Sequence, residues 1–554
     1  MKTYKGIGAS QGIARAKVLY YEKKTGGKRL GIKEAFEKAL ERVRILQEKA
    51  RADAGEDEAK IFAAYEMLLS DSMLTEPINA AIESGEDEEK AIKTVTESAA
   101  AVLASKKNEY MRRRAEDIRY IGQLLCDMLS GGDEFELPTG DDRFIIAAHE
   151  LTPVDTMRFP KERLAGLVCE MGGATSHTAI LAKSLGIPAI VGSEKIEPSD
   201  SLSDAFIDGY EGVLIVSPDD GKLREYTAKL NEENEFVSKL DKLKNEEAKT
   251  ADGERIKLCI NIGKPADLKG SETERFDGVG LFRTEFLYSS SSKKPTEEEQ
   301  AKAYGEVLRA CESVTIRTID VGGDKQLSYM ETKPEDNPFL GNRGIRLCLT
   351  HEDVFSEQLR AILVGAAGKK VKIMLPMVSS VTEITRAKEI LERAKAELEA
   401  KGEDFCREVS VGIMIETPAS AVMADVFAKH ADFFSIGTND LVQYTMAADR
   451  GNSEVEYLYN PFHPGVVRLL ANVIKCGNDA GIEVSVCGDL AANTDFTELL
   501  LGLGLKKFSV PLPLLGRIKY KIGSIKLSDA KETAKRALEA DDEYEVEKIL
   551  KGGK

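Results

Sequence analysis

The sequence predicts a multidomain α/β protein that ends in a (β/α)8 barrel, and three observations carry that reading. At 554 residues the chain is too long for one hydrophobic core, so two to four domains are expected. From Ile256 onward, eight short apolar runs alternate with helical stretches over roughly 300 residues, the repeat of a (β/α)8 barrel. Ahead of residue 222, strand-like pieces bracket a long stretch of purely helical periodicity, the pattern of a helical block inserted in an α/β domain.

Taken in order, Lys5 to Tyr21 alternates glycines with small apolar residues and ends in the strand Ala16-Lys17-Val18-Leu19-Tyr20. From Lys33 to about Leu129 the chain is charged, rich in Ala and Leu, and helical in period. Strand pieces resume at Phe144–Ala148, Leu164–Val168, Ala189–Val191 and Gly212–Val216. Residues 1–21 and 143–221 therefore form one α/β domain, and 22–142 a helical subdomain within it. Residues 222–249, highly charged with apolar side chains widely spaced, read as a solvated helical linker. The remainder, 250–554, is the barrel. Its expected strands are 256–260, 278–282, 314–319, 371–375, 409–415, 433–436, 483–486 and 506–510.

The formal net charge of -17 argues against nucleic-acid binding and favours a basic partner. Met1 to Ser10 lacks the apolar core of a secretory leader, and no apolar run approaches the roughly 20 residues that span a bilayer. A cytoplasmic location is expected, with no membrane insertion. Eight cysteines lie scattered without a C-x-x-C pair, which fits free thiols better than disulfides or a zinc ribbon.

One of only five histidines stands in Gly172-Gly173-Ala174-Thr175-Ser176-His177-Thr178-Ala179-Ile180-Leu181-Ala182-Lys183-Ser184-Leu185-Gly186-Ile187-Pro188-Ala189. A glycine turn between a strand and a helix places His177 near a helix N-terminus, where free N–H groups and the positive end of the dipole favour phosphate. The run resembles the phosphohistidine domain shared by enzyme I of the phosphoenolpyruvate-dependent sugar phosphotransferase system, pyruvate phosphate dikinase and phosphoenolpyruvate synthase. Ala174 stands where enzyme I usually has arginine, and Lys183 where arginine is common. Thr156 occupies a family position near the histidine and equally suits a turn.

Reactive residues cluster after the barrel runs, where such barrels place their catalytic groups. They occur in Gly280-Leu281-Phe282-Arg283-Thr284-Glu285, Arg317-Thr318-Ile319-Asp320-Val321-Gly322-Gly323-Asp324-Lys325, Met414-Ile415-Glu416-Thr417-Pro418, Ile436-Gly437-Thr438-Asn439-Asp440 and Val486-Cys487-Gly488-Asp489, with Arg343 and Arg450 in loops. Arginines grip phosphate and carboxylate, and Glu416 and Asp440 together suit Mg²⁺, so this mouth is expected to take a phosphorylated enol acid. These motifs, with N-P-F-L-G-N-R-G-I-R, resemble the phosphoenolpyruvate-binding domain of enzyme I, and the similarity extends over nearly the whole chain.

The resemblance implies that Arg283, Arg317, Arg343, Asn439 and Arg450 bind phosphoenolpyruvate, that Glu416 and Asp440 hold Mg²⁺, and that Cys487 protonates the enolate to release pyruvate. His177 would take the phosphoryl group and pass it to a histidine of the carrier protein HPr, docked on the helical insertion, and the barrel would form a homodimer. Acidic Glu58, Glu66 and Asp71 among apolar Ile61, Phe62, Met67 and Leu68 form either the rim of that dock or an ordinary solvated face. Asp489 replaces the family's usual glutamate, and Gln11 its usual proline. Two other readings stay open: a dikinase- or synthase-type enzyme lacking its nucleotide domain, and a regulatory phosphorelay paralogue serving no sugar transporter. Gly368-Lys369-Lys370 is no phosphate-binding loop, since the earlier glycine and the following Ser or Thr are missing.

Overall fold

A computed structural model describes residues 1–21, 29–53, 62, 65–104, 109–131, 138–151, 155, 159–173, 177–289, 294–322, 335–450, 452 and 454–552. The chain divides into two compact units, Met1–Ser238 and Lys239–Lys554.

In the first unit, strands β1 (Lys2–Lys5), β2 (Ile7–Ser10), β3 (Ile13–Tyr21), β4 (Phe144–Ala148), β5 (Leu164–Cys169), β6 (Ala189–Val191), β7 (Asp204–Asp208) and β8 (Val213–Val216) form one sheet in the order β1-β8-β7-β3-β4-β5-β6-β2. The ladder β3-β4-β5-β6 is parallel and the flanking pairs are antiparallel. Every residue of β4 is buried: Phe144, Ile146 and Ala148 pack on one face, Ile145 and Ala147 on the other. A strand covered on both faces reads as an unbroken apolar run, which is why it is visible in sequence. Three strands were not read there. β7 has only three apolar residues between Asp204, which pairs with Arg15, and Asp208, which receives the N–H groups of Tyr210 and Glu211. β1 and β2 are short strands among glycine and lysine.

Between β3 and β4 stand the helices Ile32–Asp53, Ser72–Glu83, Glu88–Ala104 and Glu109–Leu129. They enclose a separate core of Ala39, Val43, Phe62, Ile78, Ile92 and Ile121.

The helix Asp220–Leu243 departs from the expectation of a wholly solvated linker. Tyr226 is buried against Phe206 and Ile215, with Leu223 and Leu230 packed beside it. That stripe at i, i+3 and i+7 fixes the helix to the sheet of its own unit. The division after Ser238 falls inside this helix. Its far end belongs to the second unit, where the buried Lys519 ammonium donates to the carbonyls of Leu243, Lys244 and Arg275.

The second unit is a closed barrel of eight parallel strands: β9 (Lys257–Ile262), β10 (Val279–Arg283), β11 (Val314–Arg317), β12 (Val371–Leu375), β13 (Val409–Ile415), β14 (Phe433–Ile436), β15 (Glu483–Val486) and β16 (Lys507–Pro511). β16 closes on β9 through Lys507 opposite Lys257. All eight lie within two residues of the expected runs. Outward side chains such as Ile316, Ile373, Ile413, Ile415 and Val486 join the large core beneath the surrounding helices. The alternate, inward positions hold a small apolar layer of Leu281, Met374, Met414, Phe433 and Cys487.

The barrel floor is held by charge. Glu483, at the start of β15, accepts from the ammonium groups of Lys257 (2.8 Å), Lys372 (2.7 Å) and Lys507 (2.8 Å). Burial alone pushes the Glu483 carboxyl up, but the three lysines, Lys507 foremost, outweigh it and hold the group well below the usual carboxylate range. A depressed carboxyl pKa contributes stability above the unfolded value, about 4.3, and loses it as pH falls from there through the folded value. Glu483→Gln should therefore cost about 3 kcal/mol at pH 7, because it leaves the buried Lys507 unpaired. The difference from wild type should narrow below about pH 4, where the unfolded carboxyl is protonated. Urea unfolding followed by tyrosine fluorescence checks this, and a pH-independent difference would contradict the pairing.

Candidate active site

The upper mouth of the barrel collects the strand-end residues. Arg283 and Arg317 close β10 and β11, and Glu416 and Cys487 follow β13 and β15 immediately. Arg283 and Glu416 continue the inward parity of the apolar layer from Leu281 and Met414, Cys487 belongs to that layer, and Arg317 follows the buried Thr315 two residues on. Asn439 and Asp440 lie in the first turn of the helix Thr438–Met446, after β14. Arg343 comes from the loop between β11 and β12, and Arg450 from an exposed segment after β14.

Three of these residues, Arg317, Arg343 and Asp440, are linked through a third carboxylate, Asp320, to which the sequence reading gave no role. Arg317 Nη1 lies 3.0 Å from Asp320 Oδ2, and Arg343 Nη2 donates to both Asp320 oxygens at 3.3 Å. Arg343 Nη1 continues to Asp440 Oδ1 (3.2 Å) and to the Tyr444 hydroxyl (3.1 Å). The i to i+3 step from Arg317 to Asp320 and the i to i+4 step from Asp440 to Tyr444 were the available signals. Burial works against the charge on both arginines, and the surrounding carboxylates more than restore it, Glu285 first for Arg317 and Asp320 first for Arg343. The buried Nε atoms of Arg317 and Arg343 have no hydrogen-bond partner among the described residues. Unsatisfied buried donors of this kind call for a partner that the described residues do not supply.

Glu416 is 1 % exposed and accepts the N–H of Met377 at 2.6 Å. Met377 is held at φ 57°, a strained conformation for a residue other than glycine, and that turn aims its N–H at the carboxylate. Burial, with Asp440 and Asp320 adding like charge, raises the Glu416 carboxyl to about 8. A hydrated dication relieves that repulsion, and one or two carboxylates with water and substrate oxygens make an adequate shell for Mg²⁺. The donors therefore fit the metal, although no group of three or more His, Cys, Asp or Glu forms a cage among the described residues.

Cys487 is buried, and burial pushes its thiol up, with Arg283 and Arg317 close enough to oppose the shift. Asn261 Nδ2 donates to the Cys487 carbonyl at 3.1 Å. Asn439 Oδ1 accepts the backbone N–H of Asp489 at 2.8 Å, while the Asp489 side chain is exposed. The recorded contact at this departure from the family pattern is thus made by main chain. Tyr459, also missed in sequence, donates its hydroxyl to the Asn439 carbonyl and meets Arg450. Burial raises its phenol to about 12.

His177 lies in the first unit and opens the helix His177–Leu185. Its backbone is described, but its side chain is not, and Ala174, Thr156, Glu58 and Ile61 lie outside the described residues. Beneath the helix start, Thr178 is buried against Cys169. Gln11 is exposed between β2 and β3. In the helical insertion Phe62 belongs to the core, Glu66 pairs with Arg44 at 2.7 Å and Asp71 caps a helix by accepting from Met73 N–H. Those three are therefore occupied structurally. Met67 and Met73 stand well exposed nearby.

Three domain families match the chain: the N-terminal domain of phosphoenolpyruvate-utilising enzymes over residues 5–114, their mobile domain over 140–212 and their phosphoenolpyruvate-binding domain over 237–527. The phosphoenolpyruvate-protein phosphotransferase of Listeria monocytogenes is 41 % identical over 564 residues, covering 99 % of each chain. That of Staphylococcus aureus is 40 % identical over 570 residues, again covering 99 % of each, and that of Staphylococcus carnosus is 40 % identical with 98 % of each covered.

The chain belongs to the phosphoenolpyruvate-protein phosphotransferase family.

It is an enzyme of the phosphoenolpyruvate-utilising class, with that family's binding domain laid over the barrel. No helix among the described residues is long and apolar enough to cross a membrane. The packing of the mouth yields a test of where Glu416 must stand. A Cβ at Gly437 would stand 2.7 Å from Glu416 Oε2 and 3.0 Å from Glu416 Cβ. Gly437→Ala should therefore displace Glu416 and lower phosphoenolpyruvate turnover by on the order of 100-fold, with thermal unfolding shifted by only a few degrees. Unchanged turnover in a folded variant would show that Glu416 does not need its present place.

Proposed function

We propose that this chain works as enzyme I of the sugar phosphotransferase system. Phosphoenolpyruvate binds the barrel mouth and phosphorylates His177, which passes the group to a histidine of HPr. The single observation that carries the reading is the buried alternation Arg317-Asp320-Arg343-Asp440 with Glu416 beside it, a site charged to suit a phosphorylated carboxylic acid. The full-length match to phosphoenolpyruvate-protein phosphotransferases favours it over a dikinase lacking its nucleotide domain or a regulatory phosphorelay paralogue.

Arg283, Arg317, Arg343, Asn439 and Arg450 bind and orient the substrate, the arginines countering charge on its phosphoryl and carboxylate groups. Glu416 and Asp440 hold Mg²⁺, which when bound neutralises charge on the phosphoryl oxygens. A neutral imidazole nitrogen of His177 attacks phosphorus in line, the new P–N bond forms as the P–O bond to the enol oxygen breaks, and enolate leaves. Cys487, whose raised pKa keeps the thiol protonated at neutral pH, gives its proton to C3 of the enolate. Pyruvate departs and the thiolate recovers a proton from solvent. In the second transfer an HPr histidine takes the phosphoryl group and His177 returns to the free imidazole.

Residues 1–21 and 143–221 serve as the phosphohistidine domain, 22–142 as the HPr dock, 222–249 as the linker that lets the domain visit both partners, and 250–554 as the phosphoenolpyruvate barrel. The barrel unit is also where the chain would form a homodimer. The setting of such an enzyme is cytoplasmic.

Labelled phosphoenolpyruvate with and without HPr tests the whole reading. His177→Ala should take no acid-labile label. Asp440→Ala and Glu416→Ala should not react with phosphoenolpyruvate and Mg²⁺, yet should accept phosphate backwards from phospho-HPr, an exchange that uses only the N-terminal half. Loss of both exchanges in a folded variant sinks this division of labour.

The dock has its own test. Exposed Ile45, Met67, Met73 and Val102 give the insertion apolar contact area, and the acidic chain favours a basic HPr surface. Complementary charge mainly raises the association rate, so HPr should bind a fragment ending near residue 248 faster at low salt than at high. Deleting residues 33–130 should abolish transfer to HPr. Titration of labelled HPr settles the placement, and binding by the barrel half alone would refute it.

A further inference from the structure

We propose that Glu285 is the positioning residue for Arg317, an inference that rests on reading the barrel mouth as the phosphoenolpyruvate site. Glu285 opens the short helix Glu285–Ser289 directly after β10, while Arg317 ends the neighbouring strand β11. Both side chains are buried, 3 % and 8 % exposed, and Glu285 Oε1 accepts from Arg317 Nη2 at 2.5 Å. On the other side Asp320 meets Nη1 at 3.0 Å, and Met414 Sδ lies 3.7 Å from the same nitrogen. The main chain of Arg317 is tied by the residue just before Glu285. Thr284 Oγ1 donates to the Arg317 carbonyl at 2.8 Å and receives Gln358 Nε2 at 3.1 Å, and Gln358 Oε1 accepts the Ile319 N–H at 2.9 Å. Thus Thr284 fixes where Arg317 starts and Glu285 fixes where it ends.

A guanidinium is a rigid plane with five N–H groups in fixed directions, so two carboxylates on different nitrogens set its orientation. Asp320 alone does not suffice, because the same carboxylate also serves Arg343. With Nη1 and Nη2 engaged from both sides, the plane of Arg317 is set before substrate arrives. Donors oriented in advance need no reorganisation as charge shifts during transfer, whereas a misplacement of about 1 Å costs on the order of 100-fold in rate. Glu285 acts through Arg317 and is not itself a catalytic residue.

The test is a double-mutant cycle on the full chain, read as single-turnover transfer of label from phosphoenolpyruvate. Glu285→Ala should lower the transfer rate on the order of 10- to 100-fold, and Glu285→Gln, which keeps an acceptor oxygen at the same reach, should lose less. Both should accept phosphate from phospho-HPr at the wild-type rate, which reports the first unit intact, and a wild-type thermal unfolding transition of the barrel unit reports that the second is folded. On an Arg317→Lys background, Glu285→Ala should add less than twofold, because residues acting as one unit are not additive. Should the alanine variant fail to fold, the same cycle is run with Glu285→Gln. Full additivity, or wild-type transfer by Glu285→Ala, overturns the inference. Wild-type transfer by Arg317→Lys overturns instead the reading of the mouth on which it rests.

Discussion

The buried ionic chain at the mouth of the barrel is the constraint to which the rest of the second unit is fitted. Glu285, Arg317, Asp320, Arg343 and Asp440 alternate in sign, and removing one member of a buried pair leaves a charge whose desolvation typically costs several kcal/mol. Glu285 follows β10, Arg317, Asp320 and Arg343 come from the end of β11 and the loop after it, and Asp440 follows β14, so the alternation exists only when these parts of the barrel meet. Local geometry bends to serve it. Met377 takes a positive φ to put its N–H on Glu416, and Gly322, at φ 112°, leaves room beside Arg343 that a Cβ would fill at 2.5 Å. Strain such as that at Met377 costs on the order of 1–3 kcal/mol and persists only where the surroundings over-determine it, whereas glycine takes a positive φ without it.

The barrel interior is consequently graded from floor to mouth. Glu483 and its three lysines close one end, an apolar layer fills the middle, and the mixed-sign cluster occupies the other end. Cys487 belongs to both upper levels, since it packs with Leu281, Met374, Met414 and Phe433 yet lies close to Arg283 and Arg317. The same burial that makes a thiolate costly there keeps a proton on the sulfur, which is the state an acid for an enolate carbon needs. On the proposed mechanism the apolar layer would thereby serve the chemistry as well as the packing.

Much of this was legible because strand alternation converts sequence parity into direction. Met414 to Glu416 and Leu281 to Arg283 are two-residue steps, so an inward apolar residue near a strand end points to an inward charged one just past it. The eight barrel strands were visible for a related reason, since their outward residues form apolar runs beneath helices. What stayed hidden depends on partners distant in sequence. Asp320 looks like any loop carboxylate until Arg343 folds onto it, Tyr459 gains its role only beside Asn439, and β7 conceals three apolar residues between Asp204, which pairs with Arg15 of β3, and Asp208, which satisfies the following turn. The linker erred in the same way, because the three-residue stripe around Tyr226 is too sparse to signal burial without the sheet it covers.

The departure at Asp489 and its neighbour Gly488 divide along that same line. At Asp489 the backbone N–H makes the contact to Asn439 and the side chain points to solvent, so losing one methylene leaves the recorded bond untouched. At Gly488, one residue earlier, no such tolerance exists, because a Cβ there would stand 2.1 Å from Thr438 Oγ1 and push apart the two turns that carry Asn439 and Cys487. A motif position is thus constrained by which of its atoms bears the contact, and residues that contribute only main chain to the mouth can vary while the glycines that let the turns approach cannot.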